Sequence, residues 1–165
     1  MYRILCDSYV LYDPRLPDLF VLEPILTQKK NEPDELTFTI PKEHPNYGVL
    51  EKLKSRIKVY RNDTLIWIGR AIEDDRDLYE NRKVITEGVL SFLLDSVLRP
   101  FTFDGKASEF FKWILGTHNA QVNESQRFVI GTCDLIGSVS IAAKDYLSAW
   151  QALKNCLLDS FGGYL

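Results

Sequence analysis

The chain has 165 residues, of which 45% are hydrophobic, 12% aromatic and 26% charged. That composition excludes a disordered polypeptide and suffices to bury about 70% of the extended surface. Twenty basic and 23 acidic residues leave a formal charge of −3, which excludes a global field drawing the chain to nucleic acid or anionic lipid. No apolar run reaches the ~18 residues of a membrane span, and the opening Met-Tyr-Arg-Ile-Leu-Cys-Asp has no secretory apolar region. Cys6, Cys133 and Cys156 are odd in number and widely spaced. They read as reduced, mostly buried thiols of a protein made in a reducing cytoplasm.

In chain order, Tyr2 to Cys6 and Tyr9 to Tyr12 flank the polar Asp7-Ser8 and predict an opening hairpin. Asp13-Pro14 stops it. The apolar run from Phe20 to Thr27 is interrupted by Pro24, which lacks the donor of a central strand and so predicts an edge or a bend. Leu36, Phe38 and Ile40 alternate within Glu35–Ile40 and predict a strand that Pro41 ends. Pro45 to Lys54 reads as a short helical turn.

The stretch from Arg56 to Arg70 predicts a β-hairpin around Asn62-Asp63, whose short polar side chains tolerate left-handed backbone. Period-two alternation puts Ile57, Val59, Ile66 and Ile68 on one apolar face, with Lys58 and Trp67 on the other. Gly69 suggests a bulge or a close backbone approach. Lys83 to Leu90 can pair back across an acidic turn. Six or more strands before residue 90 predict a β-barrel or sandwich. A composition change around Asp95 to Pro100 places the domain boundary at 98/99, giving 1–98 as a barrel and 99–165 as a helix-containing unit.

In the second part, Phe110, Phe111, Trp113 and Ile114 predict a helix from Ala107 to Leu115, with Gly116 as its stop. Phe128 to Gly131 and Ser138 to Ala142 are strand candidates. A second helix is expected from Ala143 or Asp145 to about Ser160, with Leu147, Trp150, Leu153, Leu157 and Leu158 on one stripe. Gly162-Gly163 ends it. Tyr164-Leu165 looks like the start of a strand, so a continuation beyond Leu165 is expected. The fold class read from these elements is α+β, an N-terminal antiparallel barrel followed by a smaller α/β subdomain.

Chemistry is sparse. His44 and His118 are the whole supply of imidazole, without ligand-spaced companions, and no Cys-x-x-Cys exists. No metal or cofactor is expected. His118 with Cys133 or Cys156 would make a thiol–imidazole pair, but the cysteines fall where packing is the ordinary use. Four carboxylates in Glu73-Asp-Asp-Arg-Asp77 offer acid–base groups, against the plainer reading of a solvated turn. Lys54, Arg56, Lys58 and Arg61 with Tyr60 and Trp67 form a modest basic-aromatic stripe, the pattern of a nucleic-acid- or carbohydrate-binding barrel, or simply a charged strand. No catalytic constellation is present, so no enzyme is expected. A peptidoglycan hydrolase centred on His118 is the minor alternative.

Several ordered blocks carry a resemblance. Gly69-Arg70 with the acidic turn, Lys83, Glu87-Gly88-Val-Leu90 and Asp95 to Phe101 form the first. His118-Asn-Ala-Gln-Val122, Gln126-Arg-Phe128 and Gly131 form the second, and Asp145-Tyr-Leu, Trp150, Leu158-Asp-Ser160 and Gly162 to Leu165 the third. In these the chain resembles the N-terminal region of phage tail hub proteins, the prophage tail-endopeptidase or tail-associated lysin family. Cys133 to Gly137 is less strand-like than that pattern.

The resemblance implies a split β-barrel similar to the baseplate hub of contractile tails, and a virion structural protein at the tail tip. It further implies a homotrimeric ring in the full-length protein, contacts with the distal tail protein and the tape measure protein, and DNA passing through without sequence-specific binding. Lytic activity, where the family has it, belongs to a C-terminal extension. Tyr60 and Trp67 are the candidate ring-contact residues, because aromatic side chains dominate interface energetics. The alternative for Trp67 is that it only covers the end of its own barrel.

Overall fold

The computed structural model describes residues 1–163, so the expected strand start at Tyr164-Leu165 lies outside the described residues. Two compact units divide the chain, Met1–Val89 and Leu90–Leu165. The break falls earlier than 98/99 because Leu93 and Leu98 belong to the core of the second unit.

The first unit is a curled seven-stranded antiparallel sheet, an open half-barrel. Its strands are β1 (Tyr2–Cys6), β2 (Tyr9–Tyr12), β3 (Leu22–Thr27), β4 (Glu35–Ile40), β5 (Arg56–Arg61), β6 (Thr64–Arg76) and β7 (Arg82–Gly88), in the spatial order β2-β1-β5-β6-β7-β4-β3. The alternation read in β4 is realised, with Leu36, Phe38 and Ile40 all buried. Ile4, Cys6, Leu11, Ile57, Val59 and Val84 complete the centre of the core. β2 and β3 are the outer strands. On β3, Pro24 follows Glu23, whose φ is +48°, and the pairing with β4 shifts between Leu22 and Ile25. The outermost strand is therefore broken in its middle. Residues 45–54 form successive turns rather than a helix.

The hairpin faces differ from the alternation expected. Asn62 and Asp63 both take positive φ, +48° and +67°, as a two-residue turn requires. Val59 then faces Trp67 while Tyr60 faces Leu65, so Ile66 is an extra residue in β6. That bulge slips the phase by one residue and exchanges the faces. Trp67, Gly69 and Ala71 point into the core, and Ile66 is exposed. β6 also runs through the acidic residues to Arg76, so the turn is 77–81, later than expected.

A 3-10 turn, Val89–Leu94, carries the chain from the first unit into the second. Two small antiparallel pairs follow, β8 (Val97–Leu98) with β11 (Leu147–Ser148) and β9 (Phe101–Lys106) with β10 (Ser138–Ala143). β8 and β9 escape the sequence reading because Arg99-Pro100 and Asp104-Gly105 look like breaks, although Phe101 and Phe103 do alternate. Helix α1 is Ala107–Asn119; it continues through Gly116, since helical φ and ψ cost glycine only entropy. Phe128 to Gly131 forms no strand. The last helical stretch begins at α2 (Ala149–Leu153), later than Ala143, because Ser148 caps it: Ser148 Oγ accepts from Gln151 N at 3.1 Å, and Gln151 Oε1 accepts from Ser148 N at 2.9 Å. A π-turn (Lys154–Leu158) and α3 (Asp159–Phe161) follow. Trp150, Leu153 and Leu157 of the expected stripe are buried against Phe110, Ile114 and Leu115.

Candidate functional site

Trp67 is 5% exposed and sits in the core, which leaves Tyr60 as the surface member of the expected pair. The reason lies in two glycines. Gly69 and Gly88 face one another across β6 and β7, and the indole lies over both. A Cβ on Gly69 would collide with the Trp67 ring and the Glu87 carbonyl; one on Gly88 would reach Trp67 Nε1 at 3.3 Å. The glycines are thus the floor on which the ring rests. Tyr60, half-buried on the other face, is covered by the Arg3 guanidinium at 5.6 Å, and Arg3 pairs with Asp63. Lys54 of the basic stripe is bound to Glu51 at 2.9 Å.

The acidic run is not a cluster of equivalent carboxylates. Glu73 and Asp75 are exposed on β6, while Asp74 is spent on Arg82, which donates from Nε at 2.9 Å and also from Nη2. Arg82 is buried, donates further to the carbonyls of Tyr47 and Leu50, and lies 5.3 Å from the Tyr47 ring. One guanidinium thereby fastens the 47–50 turn to the hairpin. It holds the Asp74 carboxyl below its usual range. Asp77 is the internal brace of the turn, accepting from Tyr79 N at 2.8 Å, Asn81 N at 2.9 Å and Asn81 Nδ2 at 2.9 Å.

Neither histidine is placed for catalysis. His44 is buried, with Nε2 2.9 Å from the Leu11 carbonyl and Nδ1 accepting from Asn46 N at 3.0 Å. Burial pushes its pKa down. His118 is fully buried, with Nδ1 2.8 Å from Ser96 Oγ and Nε2 3.1 Å from the Gln126 carbonyl. Both nitrogens are occupied, one by a buried hydroxyl and the other by the main chain, so the imidazole ties β8's approach to the 124–128 segment. Burial raises the pKa of the Cys6 thiol to about 11, and burial also pushes the Cys156 thiol up, which leaves both as packing groups. Among the described residues no group of three or more His, Cys, Asp or Glu could hold a metal ion.

Two clefts remain. In the half-barrel, Tyr2, Tyr12, Pro24, Leu26, Arg61 and Ile66 are among the residues around one of about 530 Å³. In the second unit, Val97, Arg99, Phe101, Trp113, Gln121 and Tyr146 line another of about 660 Å³. Its wall is built by Gln121, whose side-chain amide accepts from Val97 N and donates to Val97 O, both at 3.0 Å, in the manner of a neighbouring strand. Behind it, the rings of Phe101 and Trp113 pack tilted against one another, with centroids 4.8 Å apart and planes at 54°.

No family model matches the sequence, and no curated protein is similar to it. Its fold is similar to that of a solved prophage tail protein. The crystal structure of prophage tail protein gp18 from Listeria monocytogenes EGD-e superposes on 94% of this chain with a TM-score of 0.53 and 11% identity. The likeness to gp18 is one of fold, and it takes in both units, since the uncovered part is smaller than either. The chain spans 45% of the length of gp18.

Proposed function

We propose that this chain is a structural component of a phage or prophage tail, the N-terminal part of a hub at the tail tip. The observation that carries the reading is the fold shared with a prophage tail protein over 94% of the chain. The ordered sequence blocks point the same way from independent information. In this reading the full-length protein is a homotrimer that joins the tail tube and distal tail protein to the host-facing tip. It meets the tape measure protein, and DNA passes through its ring without sequence-specific contacts. Any lytic step belongs to a C-terminal extension. A non-catalytic role for these residues is supported by the use of His44, His118 and Asp74 as internal ties. Immunogold electron microscopy of purified particles, with antibody raised against this chain, tests the reading. Gold at the tail tip is expected. Particles that bear tails but contain none of this protein by peptide mass spectrometry would overturn it.

A further inference from the structure

The two ends of the half-barrel are treated differently. Where β1 finishes with Cys6 and β5 begins with Ile57, the 47–50 turn packs onto the core through Tyr47, Val49 and Leu50. The cleft of about 530 Å³ lies at the opposite ends of the same strands, at Tyr2 on β1, Arg61 on β5 and Leu36 near the start of β4. Its floor is the core itself, because Ile4, Leu36 and Val59 line it and are buried. Period-two alternation puts Tyr2 on the face of Ile4 and Arg61 on the face of Val59, so both stand at the mouth above that floor. The bulge adds Ile66 to the wall.

The polar groups are all at the rim. Tyr2, Gln28 and Arg61 are exposed and Tyr12 is half-buried, and the side chains of all four are without a hydrogen-bond or ion-pair partner among the described residues. Arg61 is the only charged lining residue. Asp63, two residues further on, pairs with Arg3 instead, and Glu23 and Glu35 on the flanking strands do not line the cleft.

This distribution selects the chemistry of the occupant. A sugar laid on Ile4, Leu36 and Val59 would leave hydroxyls buried without partners. A nucleic-acid strand needs a track of cations, and the cleft has one. An extended peptide needs main-chain partners, which the broken β3 withholds. What matches is a molecule apolar along its body with one anionic group at its end. A guanidinium is planar and meets a carboxylate through two parallel hydrogen bonds. The volume falls in the range of small-ligand pockets, about 300–1,000 Å³.

We propose that the open end of the half-barrel binds a single-chain aliphatic carboxylate, its tail on Ile4, Leu36 and Val59 and its head on Arg61. The site lies wholly within the first unit, and the inference does not depend on the tail reading.

Titration of the 165-residue chain with sodium decanoate below its micelle-forming concentration, followed by calorimetry and by methyl NMR, tests it. Binding is expected to saturate at one decanoate per chain and to shift the methyl signals of Ile4, Leu26, Leu36, Val59 and Ile66. Decanol should bind at least tenfold more weakly, and decylammonium more weakly still. Arg61→Gln should weaken decanoate at least tenfold, leave decanol as before and leave the thermal midpoint unchanged. Ile66→Asp, which puts a carboxylate in the wall, should weaken both. Arg99→Gln, in the other cleft, should change nothing. Decanoate that fails to saturate, or that shifts methyl groups throughout the chain, is adventitious detergent-like binding only and overturns the proposal. So does equal affinity for decanoate and decanol, or decanoate binding that survives Arg61→Gln.

Discussion

At the scale of single residues, the indole of Trp67 and the missing side chains beneath it form one device. Truncating the ring exposes a void over Gly69 and Gly88, and Trp67→Ala should cost about 3–5 kcal/mol, with Trp67→Phe costing less. Gly69→Ala fails for the opposite reason: the new methyl collides with the Glu87 carbonyl as well as the ring, for a loss of about 1–3 kcal/mol or more. Urea unfolding measures all three, and a neutral Gly69→Ala would refute the packing account. His44 gives a pH dependence. Its folded pKa is depressed, so the native state holds the neutral ring, whereas the unfolded chain takes up a proton near 6.5. Between those two values the unfolded state binds more protons, and stability falls as pH falls. The denaturation midpoint should drop below pH 6.5, and His44→Gln should flatten that part of the curve.

At the scale of elements, the 47–50 turn is joined to the β6–β7 hairpin by Arg82, whose charge is buried and matched by Asp74. Asp74→Asn strips the charge partner and should destabilise by about 3 kcal/mol, as breaking a buried pair does. Arg82→Lys should not rescue the fold, because an ammonium cannot donate bidentately to Asp74 and reach two carbonyls at once. Because the carboxyl pKa is lowered in the fold, this stabilisation is present above the ordinary carboxylate value and is lost as acid drives the pH through the folded one. The acid limb of a stability profile should therefore shrink in Asp74→Asn. Much of this level was legible in the sequence: β1, β2 and β4 fall on the expected residues, and Asn62-Asp63 makes the expected turn. What was not legible is any event that breaks a period. The bulge at Ile66 turns Trp67 inward, and no local pattern announces it, since either phase offers an apolar face. The capping box Ser148-Ala-Trp-Gln151 marks the start of α2, a signal that the expected start at Ala143 or Asp145 passed over. The candidate site was the less visible part. Leu78 and Tyr79 fall just past the acidic run that was expected to be the turn, and no local pattern marks their exposure on a braced loop.

At the scale of the whole molecule, the two hydrophobic cores share no residue. Leu153→Ala, in the second, should lower hydrogen-exchange protection across residues 90–163 and leave the half-barrel strands protected as before. Uniform loss over the whole chain would mean that the units unfold as one. The half-barrel ends in a strand that has a free side, with Leu22 and Ile25 exposed. A continuous run of that kind could template further chains by main-chain bonding, growing cross-β fibrils without limit. Pro24 withholds a donor, and the left-handed Glu23 bends the row where an incoming strand would register. Restoring continuity with Pro24→Val should seed thioflavin-positive fibrils under conditions where the wild-type chain forms none. The backbone of the outermost strand thereby refuses indiscriminate pairing, and leaves any contact with other chains to side chains.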